Sequence, residues 1–264
     1  MEKQQDILVI KLGGSIFNKK DTSIRDIVRL QKEGRRLIVI HGGASIVNKW
    51  LKRLNIPTEI VDGERITSLE SLEVVTAILG GLVNKELVAA ILSNGGQAVG
   101  LSGVDGGIVH GKIRNNKMGY MGDIVKINPK PLLALLDAGI MPIIAPVSLH
   151  FDKPQDAPAL LNINGDPIAG AIAAAIGARK LIFLTDVNGI RDSSGNRLAH
   201  LTPAEAEKLL ENGIASGGMV PKLKACINAI SGGGKACIID GAAPHALIKE
   251  MAGQGDGTLI SGSV

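Results

Sequence analysis

The sequence predicts an α/β fold in which a mostly parallel β-sheet carries helices on both faces. Short apolar runs rich in β-branched residues alternate with segments of helical periodicity along the 264-residue chain, and this alternation is typical of parallel sheets. Two glycine turns directly follow apolar runs, at the end of the strands where such sheets bind ligands. Hydrophobic residues form 45% of the chain, which is enough to build one large core.

The order of elements follows from the apolar pattern. Buried parallel strands read as continuous apolar runs, which predicts six strands: Ile7–Ile10, Leu37–Ile40, Ala98–Leu101, Pro142–Ala145, Leu181–Leu184 and Ala236–Ile239. Helical spacing of apolar residues predicts eight helices between and after them: Ile24–Glu33, Ser45–Leu54, Leu69–Leu79, Asn84–Ser93, Pro131–Asp137, Pro167–Ile176, Thr202–Glu211 and Pro221–Ile230. Strands and helices therefore alternate over most of the chain.

One stretch departs from this alternation. Residues alternate around Asn115-Asn116 within Gly107–Lys126, which predicts an antiparallel hairpin that flanks the site as a lid or a wall. The chain has no internal repeat and no low-complexity linker. We therefore expect a single domain of two lobes, an N-terminal lobe of about residues 1–176 and a C-terminal lobe of about residues 177–264.

Composition excludes several classes of function. Aromatic residues are only 2% of the chain, too few for the platforms on which single-stranded nucleic acid stacks, and the net charge of +4 is scattered rather than clustered. No run of about 20 residues lacks charges or helix breakers, so we expect no membrane span. Cys226 and Cys237 have no zinc or redox spacing, which predicts free buried thiols in a soluble, cytoplasmic protein.

The first strand leads into a candidate phosphate site. Lys11 ends its apolar run and is followed by Gly13 and Gly14. Glycine backbone N–H groups can approach a ligand closely because no Cβ stands in the way, and a lysine beside such donors suits an anionic phosphate. A solvent-exposed lysine before an ordinary turn is the alternative.

Two further glycine turns precede helices. His41-Gly42-Gly43-Ala44 follows the second strand, and the free N–H groups of the next helix favour an anion there, although an ordinary tight turn also fits. His41 itself is a packing or capping residue in this interpretation. Ser216-Gly217-Gly218 opens a helix with Lys222 in its first turn. The helix dipole disfavours a cation at that position, and a bound polyphosphate would compensate for it.

Polar residues in three other loops are candidates for binding. Arg65 precedes a helix, and its planar fork can grip a carboxylate, unless it is a surface arginine. The segment Asn162–Asp166 brings two amides and a carboxylate to a helix start, where Asp166 can alternatively act only as a cap. Asp186 follows a strand and can bind a ribose or adenine edge, although Asn188-Gly189 also indicates a plain turn.

These stretches together resemble the amino acid kinase family. The motifs K-L-G-G-S, H-G-G, G-x-R-x-T, N-x-N-x-D, T-D-V-x-G and G-G-M-x-x-K occur in this order across nearly the whole chain. The P-loop, the dinucleotide fingerprint and the H-R-D kinase loop are absent from the sequence. The segments G-E-R-I-T, L-E-V-V, V-N-K-E, S-G-G-M-V-P-K and D-G-A-A-P-H-A-L are most similar to the branch that phosphorylates N-acetyl-L-glutamate.

The resemblance implies a three-layer α/β/α sandwich around an open sheet, with the amino acid in the N-terminal lobe and ATP in the C-terminal lobe. It implies that Lys11 and Lys222 are the two transition-state lysines and that Asp166 orients both. It implies acetylglutamate contacts at Gly43, Ala44, Arg65 and Asn162. It implies Mg²⁺-ATP, without metal ligands assigned in the chain, at Gly13, Gly14, Asp186, Val187, Asn188, Gly189, Ile190, Arg191, Ile214, Ala215 and Ser216.

Two residues depart from the family pattern. Ala44 stands where the family usually has a third glycine, and Gly165 stands where it usually has alanine. Either change can alter substrate preference, which keeps open a kinase that acts on carrier-protein-bound aminoadipate or glutamate. A non-catalytic, ATP-binding regulatory protein is a third alternative, disfavoured because both lysines and the aspartate are present.

The resemblance also bears on assembly. Arginine-inhibited relatives carry an extra N-terminal helix, whereas only Met1 to Asp6 precede the first predicted strand here. It therefore implies a homodimer that arginine does not strongly inhibit. The apolar helical stretch from Leu69 to Ser93 is rich enough in hydrophobic residues to supply the contact.

Overall fold

The computed structural model describes residues 6–13, 22–61 and 63–262. Its strands are β1 (Ile7–Leu12), β2 (Arg36–His41), β3 (Ile60–Val61), β4 (Glu64–Arg65), β5 (Ala98–Ser102), β6 (Val109–Ile113), β7 (Gly122–Ile127), β8 (Met141–Ala145), β9 (Val147–His150), β10 (Leu160–Asn162), β11 (Lys180–Thr185), β12 (Ile190–Arg191), β13 (Arg197–Leu198), β14 (His200–Leu201), β15 (Lys235–Asp240) and β16 (Thr258–Ile260). Eight of these form the main sheet, in the order β14-β16-β15-β11-β1-β2-β8-β5. Every neighbouring pair in it is parallel except β15 with β16.

Helices cover both faces of this sheet. They are α1 (Ser23–Lys32), α2 (Ala44–Arg53), α3 (Leu69–Val75), α4 (Asn84–Ser93), α5 (Lys130–Asp137), α6 (Gly165–Ile176), α7 (Pro203–Glu211), α8 (Met219–Ser231) and α9 (Ala246–Met251). Helices α5, α6, α7 and α8 contribute to the core on one face, and α1, α4 and α9 to the core on the other. The described part of the chain is therefore a three-layer α/β/α sandwich, which confirms the predicted fold class.

The central strand divides its side chains between the two cores. Ile7 and Val9 of β1 pack with α6 and α8, whereas Leu8 and Ile10 pack with α1, α4 and α9. A strand buried on both faces must be apolar at successive positions, which is why the continuous run in the sequence predicted it. Lys11 has the same parity as Val9, so its side chain projects toward the layer that contains α6.

The six predicted strands and the hairpin are confirmed, with strand ends that differ by one or two residues. In the hairpin, β6 and β7 pair antiparallel. The predicted helix Leu69–Leu79 differs from the structure, because α3 ends at Val75 and the chain continues as a π-helix over Thr76–Val83. Two consecutive glycines lie within this π-helix, and their wide conformational range accommodates the broader turn.

A smaller sheet stands beside the main one. Its order is β10-β9-β6-β7, and isolated bridges join Met121 to Asn162 and Gly119 to Thr67. These bridges attach the tip of the hairpin to the loops that precede α3 and α6. The hairpin therefore forms a wall of the region in which the polar candidates lie.

One helical stretch is long and apolar enough, by length and composition alone, to cross a membrane. It runs over Leu69–Ser93, its most apolar window has a mean hydropathy of 1.7, and 44% of that window is buried inside the protein. Its α4 segment packs on β5 and β8, and core helices of folded domains pass the same test. The packing in the structure accounts for its apolar character.

Candidate active site

The carboxyl end of β1 is the centre of the candidate site. Lys11 lies level with Ile40 of β2 and Phe183 of β11. The loops that follow β2 and β11 therefore leave the sheet close to Lys11. Ligands bind at this edge of parallel sheets. The amino ends of α6 and α8 point to the same edge and bring Asp166 and Lys222, each in the first turn of its helix.

One carboxylate joins the two lysines. The Nζ atom of Lys11 lies 2.7 Å from Oδ1 of Asp166, and Nζ of Lys222 donates to Oδ2 of the same residue at 3.0 Å. The side chains of Lys11, Lys222 and Asp166 are 10%, 16% and 4% exposed. The structure therefore brings together three residues that lie up to 211 positions apart in sequence.

The charge of this cluster follows from its surroundings. Burial alone would raise the pKa of Asp166, but the positive charges of Lys11 and Lys222 and their hydrogen bonds outweigh burial and hold the pKa below its ordinary value. Asp166 is thus a carboxylate at neutral pH. It offsets the repulsion between two ammonium groups and leaves the cluster with a net positive charge for an arriving anion.

The local sequence explains how Asp166 reaches this position. Asn164 caps α6, because its Oδ1 accepts from the backbone N–H of Asp166 at 3.0 Å. The alternative that Asp166 serves only as the helix cap is therefore wrong, since Asn164 has that role and the Asp166 carboxylate is free to bind the lysines. Helices α6 and α8 approach so closely at Gly170 that a Cβ on this residue would lie only 2.6 Å from the carbonyl oxygen of Ala225. The glycine therefore permits the contact between the two helices.

The second glycine turn lies against the same cluster. Gly42 donates its backbone N–H to the Leu12 carbonyl at 3.0 Å, and a Cβ there would lie 3.8 Å from Nζ of Lys11. Gly43 has a φ of 147°, which a side chain rarely tolerates. Ala44 is the first residue of α2. In the glycine turn that follows β1, the backbone N–H of Gly13 donates to the Leu184 carbonyl at 2.9 Å. Gly14 lies outside the described residues.

A cavity of about 270 Å³ connects this cluster to Arg65. Both lysines, Asp166, the Gly42–Ala44 turn, Arg65 and Asn162 line it, together with apolar side chains from α2, α3 and the π-helix. Its size and its few convergent polar groups suit a small molecule. The site therefore has two cationic ends, the lysines at one and the guanidinium at the other.

Arg65 is prepared for an anion. It is buried, its Nη2 donates to Oδ1 of Asn48, and its buried Nη1 has no hydrogen-bond partner in the described part of the chain. Burial lowers the pKa of Arg65, and an unpaired buried donor is costly to a fold. A carboxylate placed in the cavity would satisfy it with the bidentate geometry that guanidinium favours.

Other residues hold these groups in place, and sequence reasoning missed them. Glu64 accepts from Nδ2 of Asn164 at 3.2 Å and pairs with Arg114 of the hairpin. Arg114 in turn contacts Asp123 at 2.7 Å. Burial would lower the pKa of Arg114, but its hydrogen bonds to both acids, together with their charges, raise it above the ordinary value. The position of Glu64 beside Arg65 and the N-x-N spacing before Asp166 were the only signals in the sequence.

Asn162 is more constrained than its sequence context suggests. Its Nδ2 donates to Oγ1 of Thr67 at 3.0 Å, and its backbone N–H donates to the Tyr120 carbonyl. These contacts leave Oδ1 of Asn162 as the atom that can face a ligand in the cavity. An acceptor at this position suits an amide N–H of a substrate.

The residues expected to bind ATP lie outside this cavity. Asp186 and Val187 follow β11 and are exposed, and Arg191 is exposed on β12. Ile190 and Ala215 are core residues whose backbone N–H groups already donate to Thr258 and Leu209. Their backbone N–H groups are therefore not free to bind a nucleotide. Asn188, Gly189, Ile214 and Ser216 lie in the same loops.

Protein groups for a metal ion are sparse. Among the described residues, no group of three or more His, Cys, Asp or Glu side chains is close enough to hold one. Both oxygens of Asp166 are already in contact with ammonium groups.

His41 lies under the second glycine turn and is fully buried. Its Nδ1 is 2.8 Å from the Gly42 carbonyl oxygen, and its Nε2 is 3.1 Å from Nδ2 of Asn84. Burial, partly opposed by the Gly42 hydrogen bond and reinforced by the charges of Lys11 and Lys85, lowers the pKa of His41 to about 4. The imidazole is therefore neutral at physiological pH.

Comparison with known proteins extends the likeness over the whole chain. A model of the amino acid kinase family matches residues 6–240. The acetylglutamate kinase of Dehalococcoides mccartyi strain CBDB1 is 48% identical over 262 residues, which are 99% of this chain and 96% of that protein. The acetylglutamate kinase of Campylobacter curvus strain 525.92 is 40% identical over 97% of this chain and 92% of that protein. The solved structure of smu.665 from Streptococcus mutans UA159 has a TM-score of 0.81 at 26% identity, covering 98% and 99% of the two chains.

The buried neutral imidazole predicts a specific loss of stability in acid. Unfolded histidine titrates near pH 6.5 and folded His41 near 4, so the unfolded state binds the proton first as pH falls. This contribution to the free energy of unfolding is complete above pH 6.5 and declines by roughly 3 kcal/mol as pH approaches 4. We expect urea titrations to show a shallower pH dependence for His41→Asn than for the unsubstituted protein, and no such change for the exposed His200→Asn. Parallel slopes for His41→Asn and the unsubstituted protein would contradict this assignment.

Proposed function

This chain belongs to the amino acid kinase family, and we propose that it transfers the γ-phosphoryl group of ATP to the side-chain carboxylate of N-acetyl-L-glutamate. It is a phosphotransferase whose acceptor is a carboxyl group. The observation that supports this substrate is the cavity with Lys11, Asp166 and Lys222 at one end and the unpaired Nη1 of Arg65 at the other. The acyl phosphate formed would enter arginine biosynthesis.

The two ends of the cavity match the two carboxylates of the substrate. Arg65 would bind the α-carboxylate, and Asn162 would accept from the acetamido N–H. The methylene groups would lie against the apolar wall that includes Val47 and Leu79. This orientation presents the side-chain carboxylate to Lys11 and Lys222, in agreement with the binding role proposed for Gly43 and Ala44 beside them.

The reaction needs charge control more than proton transfer. A carboxylate is already ionised at neutral pH, so no general base is required. One carboxylate oxygen forms a bond to the γ-phosphorus while the bond from that phosphorus to the bridging oxygen breaks, and the electron pair leaves with ADP. The barrier is the approach of one anion to another, which positioning and electrostatic stabilisation lower.

The three charged residues divide this task. Lys11 and Lys222 would contact the transferred phosphoryl group and stabilise the charge that develops on its oxygens. Asp166 would hold both ammonium groups in place rather than accept a proton, consistent with its lowered pKa. Backbone N–H groups of Gly14 and Gly43 would add uncharged donors, while Gly13, whose own N–H donates to the Leu184 carbonyl, would let the loop pass close to the phosphate. We propose that Mg²⁺ arrives with ATP and neutralises phosphate charge there, held mainly by phosphate oxygens and water.

The nucleotide half of the site is proposed on the C-terminal side. Residues 186–191 and 214–216 would contact ATP, with Asp186 toward the ribose or adenine. In this division the lobe of about residues 1–176 binds acetylglutamate and the lobe of about 177–264 binds ATP. Asp166 and Lys222 come from the two sides of that boundary, so the cluster would join the lobes. Two free buried thiols fit the cytoplasmic location that we propose.

We also propose a homodimer formed through the Leu69–Ser93 stretch. Leu69, Leu82 and Leu92 of this stretch are 49%, 37% and 48% exposed in the single chain. Exposed leucines along one apolar helical stretch are typical of subunit contacts.

Removing either lysine is expected to abolish most turnover. A coupled ADP-release assay with N-acetyl-L-glutamate should give a kcat for Lys11→Ala and Lys222→Ala that is about 10²–10³-fold lower, because each removes a donor to the transition state. The KM values should change much less. Lys224→Ala, an exposed lysine on the same helix as Lys222, is the control and should retain its kcat. Near-normal kcat in either lysine variant would exclude the proposed roles.

Arg65→Lys should act on binding instead. The variant keeps the charge but loses the planar fork, so the KM for N-acetyl-L-glutamate should rise roughly 10–100-fold while kcat stays within a few-fold. N-acetylglutamate α-amide lacks the α-carboxylate, so the KM of the unsubstituted enzyme for this compound should be as high as the KM of the variant for N-acetyl-L-glutamate. Arg53→Lys, at the exposed end of α2, is the matched control. An unchanged KM for Arg65→Lys would remove this residue from the site.

The dimer has its own test. Light scattering should give twice the chain mass for the unsubstituted protein and a single chain mass for Leu82→Glu, because a charge at a buried contact is unfavourable. Leu54→Glu changes another exposed leucine, just after the end of α2, and should leave the mass unchanged. A monomeric unsubstituted protein, or a dimeric Leu82→Glu variant, would contradict the proposed contact.

A further inference from the structure

In the second glycine turn, the side chain of His41 sets the orientation of the peptide between Gly42 and Gly43. The Gly42 carbonyl oxygen lies 2.8 Å from Nδ1 of His41. This carbonyl and the N–H of Gly43 belong to the same peptide unit. In a trans peptide these two groups point in opposite directions, and the described residues contain no cis peptide. A carbonyl drawn toward His41 therefore turns the Gly43 N–H away from it.

The side of the sheet that this N–H faces can be assigned. His41 contacts Asn84, the first residue of α4, and α4 belongs to one helical layer. Lys11 points to the opposite layer, where it meets Asp166. Turning the Gly43 N–H away from His41 aims it at the cavity that holds both lysines. Within the described part of the chain, no group accepts a hydrogen bond from it.

The side chain of Asn84 fixes the imidazole. It is fully buried, and its Nδ2 lies 3.1 Å from Nε2 of His41, 2.9 Å from the Ile143 carbonyl oxygen and 3.2 Å from the Leu101 carbonyl oxygen. With only donors facing it, Nε2 must be the acceptor, so the proton of neutral His41 is on Nδ1. That proton is the one that the Gly42 carbonyl accepts.

The helical stretch that carries Asn84 also presses on the turn directly. A Cβ on Gly43 would lie 2.7 Å from Cδ2 of Leu79, so any side chain there would have to displace Leu79. Leu79 lies in the π-helix, whose hydrogen bonds join residues five apart. Leu79 and Asn84 are five apart and therefore lie near each other on one face. The same stretch confines Gly43 and orients the peptide before it.

We propose that His41 and Asn84 are positioning residues that aim the Gly43 N–H at the phosphoryl oxygen on which charge develops between Lys11 and Lys222. Neither residue touches the substrate, and both act through the Gly42–Gly43 peptide. This inference deepens the proposed function and rests on it. Its physical content is that an oriented backbone donor needs no reorganisation during the reaction.

Three substitutions at His41 separate this role from packing. The amide nitrogen of asparagine can occupy the position of Nδ1 and donate to the Gly42 carbonyl, whereas that of glutamine reaches the position of Nε2. His41→Asn should therefore keep kcat within about threefold. His41→Gln and His41→Leu should lower kcat by about 10–100-fold, with KM values for ATP and N-acetyl-L-glutamate changed less than threefold, because the lost donor acts in the transition state.

Asn84→Ala should lower kcat in the same way, since the imidazole loses the group that orients it. Asn94→Ala removes an exposed asparagine just after the same helix and should match the unsubstituted enzyme. Equal kcat for His41→Asn and His41→Gln, or a change confined to KM, would overturn the proposal. So would equal loss in all three His41 variants, which would indicate packing alone.

A second measurement needs no turnover. ¹⁵N spectra of the imidazoles should show His41 as the neutral tautomer protonated on Nδ1 at pH 7, and Asn84→Ala should shift that population. Protonation on Nε2 would overturn the proposal. If the unsubstituted protein releases no ADP with N-acetyl-L-glutamate while the tautomer is as expected, the proposed function fails instead, so the two failures are distinguishable.

Discussion

The geometry of the candidate site depends on a single carboxylate held between two ammonium groups. Buried ion pairs contribute little to stability, because the loss of hydration offsets most of the Coulomb attraction. The contacts of Asp166 with Lys11 and Lys222 therefore contribute little to the free energy of unfolding. Their value is positional: the ends of β1, α6 and α8 must meet within hydrogen-bonding distance, and the surrounding sheet and helix packing serve that requirement.

Local sequence pattern predicted the framework because burial leaves a local trace. The run that contains Lys11 had to be apolar on both faces, and the spacing within Asn84–Ser93 predicted that helix with the bounds that the structure gives. The charged cluster was reached through resemblance, since no local pattern places Lys11 beside Lys222. Short strands such as β10 and β16 left too few residues to show a period, and the shift from α3 to a π-helix follows tertiary packing.

The supporting contacts were beyond local sequence for a different reason. His41 meets Asn84, and Glu64 meets Arg114, so each pair joins residues more than 40 positions apart. Polar residues of these types occur throughout the surface of any protein, and only the fold distinguishes those that are buried in pairs. The Glu64 contacts with Arg114 and Asn164 connect the hairpin wall to the cap of α6, next to the central carboxylate.

The close approach of α6 and α8 has a consequence for heat sensitivity. Where Gly170 meets Ala225, and where Gly232 at the end of α8 meets Ala174, backbone packs against backbone, so no flexible side chain at these two points can absorb a change in separation. Any widening of this contact would be passed directly to the distance between Asp166 and Lys222. Thermal motion that widened this contact would therefore lower activity while the sheet is still folded, and the temperature of inactivation would then fall below the temperature of unfolding.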